Sequence, residues 1–265
     1  MHGCLVVFSL FLLCHILATG VVASGILGGR VALPHSRPYM ASLQKSSRHV
    51  CGGFLIHENF VLTSAHCEVH KPFDVVLGAH DLTFKEKTQQ RLQVEKYFKH
   101  PSYRTIKQTS YDVMLLKLKT SAVLNKYVKV IKLPEENENI LVRMNCSTAG
   151  WGWRVPNGNV AHVLREVDVT IQFNFECKYL WQEHFFSEQM ICTRQGRRGI
   201  CNGDSGGPLI CNKRPQGIAA YTAARCDNPK YPNVYMKTSF FIPWIKKVMK
   251  EQEALVVFAE YIALQ

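Results

Sequence analysis

The chain has 265 residues and carries 32 Lys and Arg against 20 Asp and Glu, a formal net charge of +12 at pH 7. That length supports a sizeable core, and the basic balance favours polyanionic partners. With no nucleic-acid motif beside the charge, sulfated glycans suit it better than DNA or RNA, and no nucleic-acid partner is expected.

The first 25 residues contain no Asp, Glu, Lys or Arg and open with an apolar stretch that reads as a secretion signal. Val21-Val22-Ala23 supplies the side chains a signal peptidase reads, so the signal is expected over 1–23 and Ser24-Gly25 remains as a dipeptide. No Lys or Arg flanks the apolar run to fix it as a membrane anchor. The domain that follows, 26–250, is long enough for one large unit or two small barrels sharing an interface. Cys4 and Cys14 leave with the signal, and the even set of eight cysteines that remains implies disulfides. None of them has C-x-x-C spacing, so neither a metal nor a cofactor is expected.

From Pro38 onward short apolar runs recur (PYMASL, CGGFLI, FDVVLGA, DVMLLKL), bounded by Gly, Asn, His or charged residues. This pattern predicts an all-β fold, and LREVDVTIQF in the second half alternates as a half-buried strand should. The clusters at 156–159 and 227–233 read as loops. Phe240 to Lys250 has an apolar face at helical spacing and predicts a short docking helix. The tail over 251–265 is apolar but too short to span a bilayer and is interrupted by Glu260, so it either extends that helix or frays.

Three short motifs carry chemistry. GDSGGPL, Gly203 to Leu209, sets a serine in a glycine-rich turn, where substrate can approach closely and backbone N–H groups can face a carbonyl oxygen. TSAHC places an imidazole at His66 beside a cysteine, and YDVMLLKL places a carboxylate at Asp112 at the mouth of an apolar run. In the order His66, Asp112, Ser205 and with these flanks, the chain resembles the chymotrypsin-like serine proteases. ILGGR at Ile26, CGG at Cys51, GWG at Gly150 and PWI at Pro243 extend the resemblance over the chain up to the tail. PHSRPYMASL, VVLGAH and NKYVKVIKLP are similar to granzymes and mast-cell proteases.

The resemblance implies two packed six-stranded antiparallel β-barrels with a C-terminal α-helix, and a secreted or granule-stored endopeptidase. In that reading Ser205 is the nucleophile, His66 its base and Asp112 the group that orients the ring, while the N–H groups of Gly203 and Ser205 receive the oxyanion. A new N-terminus at Ile26 would pair with Asp204, and Ser24-Gly25 looks like the dipeptide removed to expose it. The implied bridges are Cys51–Cys67, Cys146–Cys211, Cys177–Cys192 and Cys201–Cys226, the last as in granzymes A and K. Protein or peptide substrates, serpin-type inhibitors and a monomeric state are the expectation.

The primary pocket maps onto Gly199 as floor and Thr222 and Asn233 as walls. None is acidic, which disfavours Arg or Lys substrates, because a buried cation needs a carboxylate partner. Thr222 stands where a glycine usually keeps the entrance open, so medium apolar residues fit best and large ones remain open. Ala220 replaces a serine that usually supports the catalytic aspartate. The rival class is a cationic glycan-binding or antimicrobial protein with a protease fold.

Overall fold

A computed structural model describes residues 26–105, 109–194 and 196–263, with side chains as far as Leu255. The expected signal over 1–23 and the dipeptide 24–25 lie outside the described residues. After a two-residue strand β1 (Arg30–Val31) come β2 (Met40–Lys45), β3 (Arg48–His57), β4 (Phe60–Thr63), β5 (Asp74–Leu77), β6 (Gln90–Lys99) and β7 (Met114–Leu118). They close into an antiparallel barrel in the order β2-β3-β4-β7-β6-β5.

The second barrel uses β8 (Asn145–Gly150), β9 (Arg165–Ile171), β10 (Met190–Arg194), β11 (Pro208–Cys211), β12 (Arg214–Tyr221) and β13 (Asn233–Lys237), with helix α1 (Asn174–Trp181) between β9 and β10. Its order is β9-β10-β13-β12-β11-β8, the β8–β9 pairing closes it, and β1 pairs with β9 through Arg30↔Glu166. The two-barrel architecture implied by the sequence is the one observed.

Strand periodicity explains where the core divides. Along β4, Phe60 and Leu62 face the space between the barrels, whereas Val61 faces the interior of the first. Along β7, Leu115 joins the first group and Met114 and Leu116 the second, so strands buried on both faces read as continuous apolar runs. The shared core takes Phe54 from the first barrel and Met190, Ile218 and Val234 from the second. Helix α2 (Thr238–Ala263) caps it with Phe241 and Ile245. The helix then continues through most of the tail, and Lys96 Nζ donates to the buried Gln252 Oε1 at 3.3 Å. Among the described residues no helix is long and apolar enough to cross a membrane.

Four disulfides join Cys51 to Cys67, Cys146 to Cys211, Cys177 to Cys192 and Cys201 to Cys226, the pairing implied by the resemblance. Because Phe54 is fully buried where both barrels meet, Phe54→Ala should lower unfolding stability in a denaturant titration by about 3–5 kcal/mol. Val31→Ala, at a position 49% exposed, should change it by less than about 0.5 kcal/mol.

Candidate active site

The first barrel supplies the imidazole and the carboxylate. His66 lies in the 3₁₀ turn Ala65–His70 that follows β4, fixed to β3 by the Cys51–Cys67 bridge, and Asp112 lies two residues before β7. Asp112 is buried, and its Oδ1 accepts from the His66 backbone N–H at 2.8 Å while Oδ2 accepts from Nδ1–H at 2.6 Å. With the proton held on Nδ1, Nε2 is the ring's free base. Burial alone would lower the His66 pKa, but the charge and hydrogen bond of Asp112 outweigh burial and the nearby Arg104, so it stands above histidine's ordinary value. The second barrel supplies Ser205, and both His66 and Ser205 line a cavity of about 300 Å³ between the barrels, together with Gly203 and Asn202.

The loop carrying Ser205 is folded so that its backbone faces the same cavity. Gly203 has φ +94° and Gly206 φ +80°, and a Cβ on Gly206 would collide with Thr63 and with the Gly52 carbonyl. The N–H groups of Asp204, Gly206 and Gly207 donate to Cys201, Ala219 and Asp204 carbonyls. Those of Gly203 and Ser205 have no backbone partner among the described residues, as an oxyanion site requires.

His49, which sequence reading did not single out, holds this loop. Its Nε2–H donates to the Gly203 carbonyl at 2.9 Å, and its Nδ1 accepts from the Ser42 hydroxyl at 2.8 Å. The Gly203 peptide is thereby fixed from its carbonyl side. Burial lowers the His49 pKa to about 4 against the opposing effect of the Gly203 bond, so the ring is neutral at pH 7. Its contribution to stability is complete above histidine's ordinary pKa, ~6.5, and is lost as pH falls from there toward about 4. The sequence signal was a histidine two residues before CGG.

Beneath the loop Asp204 is 1% exposed. Its Oδ1 accepts from Gly152 N–H at 2.8 Å and Oδ2 from Cys201 N–H at 2.9 Å. Burial still pushes its pKa up to about 7 despite those two bonds. A Cβ on Gly150 or Gly152 would strike this carboxylate, which explains both glycines of GWG. Ile26 is fully buried, and the neighbouring Leu27 forms a bridge with Gly199, whose N–H donates to the Leu27 carbonyl at 3.0 Å. The N-terminal segment therefore reaches Gly199 as well as the interior.

The three residues that the resemblance assigns to the primary pocket come together. Gly199 has φ +144°, and a Cβ there would overlap Asn233 Oδ1. Asn233 Oδ1 accepts from Ile200 N–H at 3.0 Å while Nδ2 donates to Thr222 Oγ1 at 2.8 Å, so one side chain joins floor and wall. Arg225 pairs with Asp227 at 3.0 Å, and Lys230 Nζ lies 5.4 Å over the Tyr231 ring. Ala220 is buried in the inter-barrel core and has no hydroxyl to offer Asp112. Among the described residues the grouping of metal-ligand types Cys51, His66 and Cys67 has both sulfurs in a disulfide and offers only one free donor.

The trypsin family model matches residues 26–245. Granzyme B(G,H) of Mus musculus is 42% identical over 91% of this chain and 98% of its own. Mast cell protease 3 of Ovis aries is 40% identical over 91% and 95%. Among solved structures, mouse neuropsin, a serine protease, superposes with a TM-score of 0.79 at 36% identity over 84% of this chain and all of its own. Human heparin binding protein does so with a TM-score of 0.77 at 33% identity over 85% and 97%. The chain belongs to the trypsin family of chymotrypsin-like serine proteases. Within it, the chain is similar to the granzymes and mast-cell proteases.

The raised pKa of His66 sets a pH window. A base must be neutral, so kcat/KM on a peptide substrate should rise with pH through a midpoint above ~6.5. Asp112→Asn should move that midpoint down and lower kcat by about four orders of magnitude in a stopped-time assay across pH 5 to 9.

Proposed function

We propose that the protein is a secreted or granule-stored serine endopeptidase that cleaves peptide bonds through an acyl-enzyme, after medium or large apolar residues. The observation that carries this reading is that His66, held by Asp112, lines the same cavity as Gly203 and Ser205, whose N–H groups have no backbone partner among the described residues. His66 Nε2 takes the Ser205 proton as Oγ attacks the substrate carbonyl, and the two N–H groups stabilise the oxyanion by about 3 kcal/mol each. The imidazolium, held by Asp112, then protonates the leaving amine, and water repeats the sequence to release the acyl group.

Activation in this proposal is the exposure of an α-amine at Ile26. A carboxylate as deeply buried as Asp204 calls for a cation when ionised, and a new amine at the buried Ile26 would serve. Residue 25 is glycine, so the activating cut is not tryptic and removal of Ser24-Gly25 by a dipeptidyl peptidase fits.

The apolar preference rests on the absence of charge at Gly199, Thr222 and Asn233, and on Arg225 and Lys230 being engaged elsewhere. The Asn233–Thr222 bond favours the medium end of the range, since a large ring must displace it. Digestion of a diverse peptide library by the chain beginning at Ile26 should give cuts after medium apolar residues, and Ser205→Ala should abolish them. Asn233→Gly should shift the preference toward Phe and Tyr by roughly tenfold, the scale of discrimination an apolar pocket provides. Cuts after Arg, Lys or Asp would overturn the pocket assignment.

A second reading is favoured by the +12 charge together with the likeness to heparin binding protein. In it the fold serves as a cationic glycan-binding or antimicrobial protein. Salt-dependent retention of the Ser205→Ala variant on heparin would support glycan binding as a property separable from catalysis. Passage through the column at low salt would remove it.

A further inference from the structure

Away from the cleft, one face of the second barrel presents aromatic rings to water. Helix α1 has Cys177 as its buried residue, tied by a disulfide to Cys192 in β10. At about 3.6 residues per turn, that anchor turns the opposite side outward. On that side Phe175 and Tyr179, four residues apart, are 69% and 80% exposed. Phe173, just before the helix, lies with its ring centroid 5.4 Å from that of Phe175, and the Arg143 guanidinium sits 5.5 Å over Phe173. Arg143 follows the exposed Leu141 and Val142 and is fastened to the end of β9, its N–H donating to the Ile171 carbonyl at 2.9 Å. Two segments distant in sequence thus build one apolar patch, of a kind that soluble proteins seldom leave open without a use.

A basic loop region adjoins the C-terminal end of the helix. Arg194, opposite Thr170 of β9, donates to the Pro229 carbonyl at 2.8 Å and so brings the loop containing Lys230 alongside. Tyr231 in that loop lies 4.9 Å from Trp181, the last residue of α1. Arg197 and Arg225 flank Asp227 in this loop region, and Arg143, Arg194, Arg197, Arg225 and Lys230 outnumber the acids Asp227, Glu183 and the half-buried Glu176.

We propose that this face docks on an anionic lipid membrane. Phe173, Phe175 and Tyr179 enter the headgroup boundary, where aromatic side chains are favoured, while Arg143, Arg194 and Lys230 meet the negative surface. A sulfated glycan would engage the cations but would give no reason for the exposed rings. Trp181 also packs edge-on against Tyr221 at 5.0 Å, beside Thr222, so docking would hold the wall of the substrate cleft close to the surface. The proposal stands whether or not the proteolytic reading holds.

Purified protein is sedimented with vesicles of phosphatidylcholine containing roughly one-third phosphatidylserine, and with pure phosphatidylcholine, at about 0.15 M salt. Binding to the anionic vesicles is expected, weakened at least about tenfold by the double substitution Phe175→Ser and Tyr179→Ser, which removes no cation. The Phe175→Trp variant should gain blue-shifted emission over the parent when anionic vesicles are added. Because both positions are exposed, thermal melting of all variants should match the parent. Unchanged binding by the double variant would assign attachment to charge alone and overturn the proposal. So would absence of binding, or an unshifted emission from the vesicle-bound Phe175→Trp variant.

Discussion

Asp204 sits in the interior with its carboxylate bonded to two backbone N–H groups, and among the described residues no side-chain cation pairs with it. Much of the surrounding chain is arranged on its account. Gly150 and Gly152 are glycines because a side chain would occupy the carboxylate's space, and the Cys201 turn supplies its second donor. Asp204 also lies between Gly203 and Ser205, the two residues of this loop whose N–H groups have no backbone partner among the described residues. Burial raises the pKa to about 7, which places the ionised form at a disadvantage near neutral pH until a positive group arrives. On the proposed activation, that group is the amine of Ile26. The bridge from Leu27 to Gly199 then couples the same event to the pocket floor.

His49 constrains the loop from the other side. Its bond to the Gly203 carbonyl fixes the peptide on one side of Asp204, and its own orientation is set by Ser42 in β2. The loop of the second barrel is therefore held by a side chain of the first. Thr63 and Gly52 crowd Gly206 in the same way. The inter-barrel contact serves to position the site as well as to bury apolar surface.

Much of this was legible in the sequence, and what was not has a physical reason. Short apolar runs pointed to strands by their length and their turn-residue boundaries, since periodicity alone does not separate a strand buried on both faces from a buried helix segment. His66, Asp112 and Ser205 were singled out through local motifs, and the structure brings His66 and Asp112 into hydrogen bond and His66 and Ser205 to one cavity. His49 escaped, because its two partners, Ser42 and the Gly203 carbonyl, lie 7 and 154 residues away and a lone histidine carries no such information. The fate of the tail was left open by its composition. Its helical continuation follows from α2 packing through Phe241 and Ile245 and from Gln252 meeting Lys96. The joined position of Asn233 and Thr222 was equally hidden, since pocket residues can be aligned from sequence but their mutual hydrogen bond cannot.

That bond bears on how specificity and catalytic rate are separated in this fold. Asn233 is buried and has its oxygen on Ile200 N–H and its amide on Thr222, so in the proposed function it would shape the pocket without touching the reacting groups. Ala220, by contrast, lies two residues before Thr222, at the position where the resemblance implies a serine that supports the aspartate, here Asp112. The hydrogen bonds described for Asp112 both come from His66. Orientation of the ring therefore falls on this bidentate contact and on the buried position of Asp112. Asn233 lies on β13 of the second barrel and the imidazole–carboxylate pair on the first, so under the proposed function substrate preference could be altered at Asn233 while that pair keeps its hydrogen bonds.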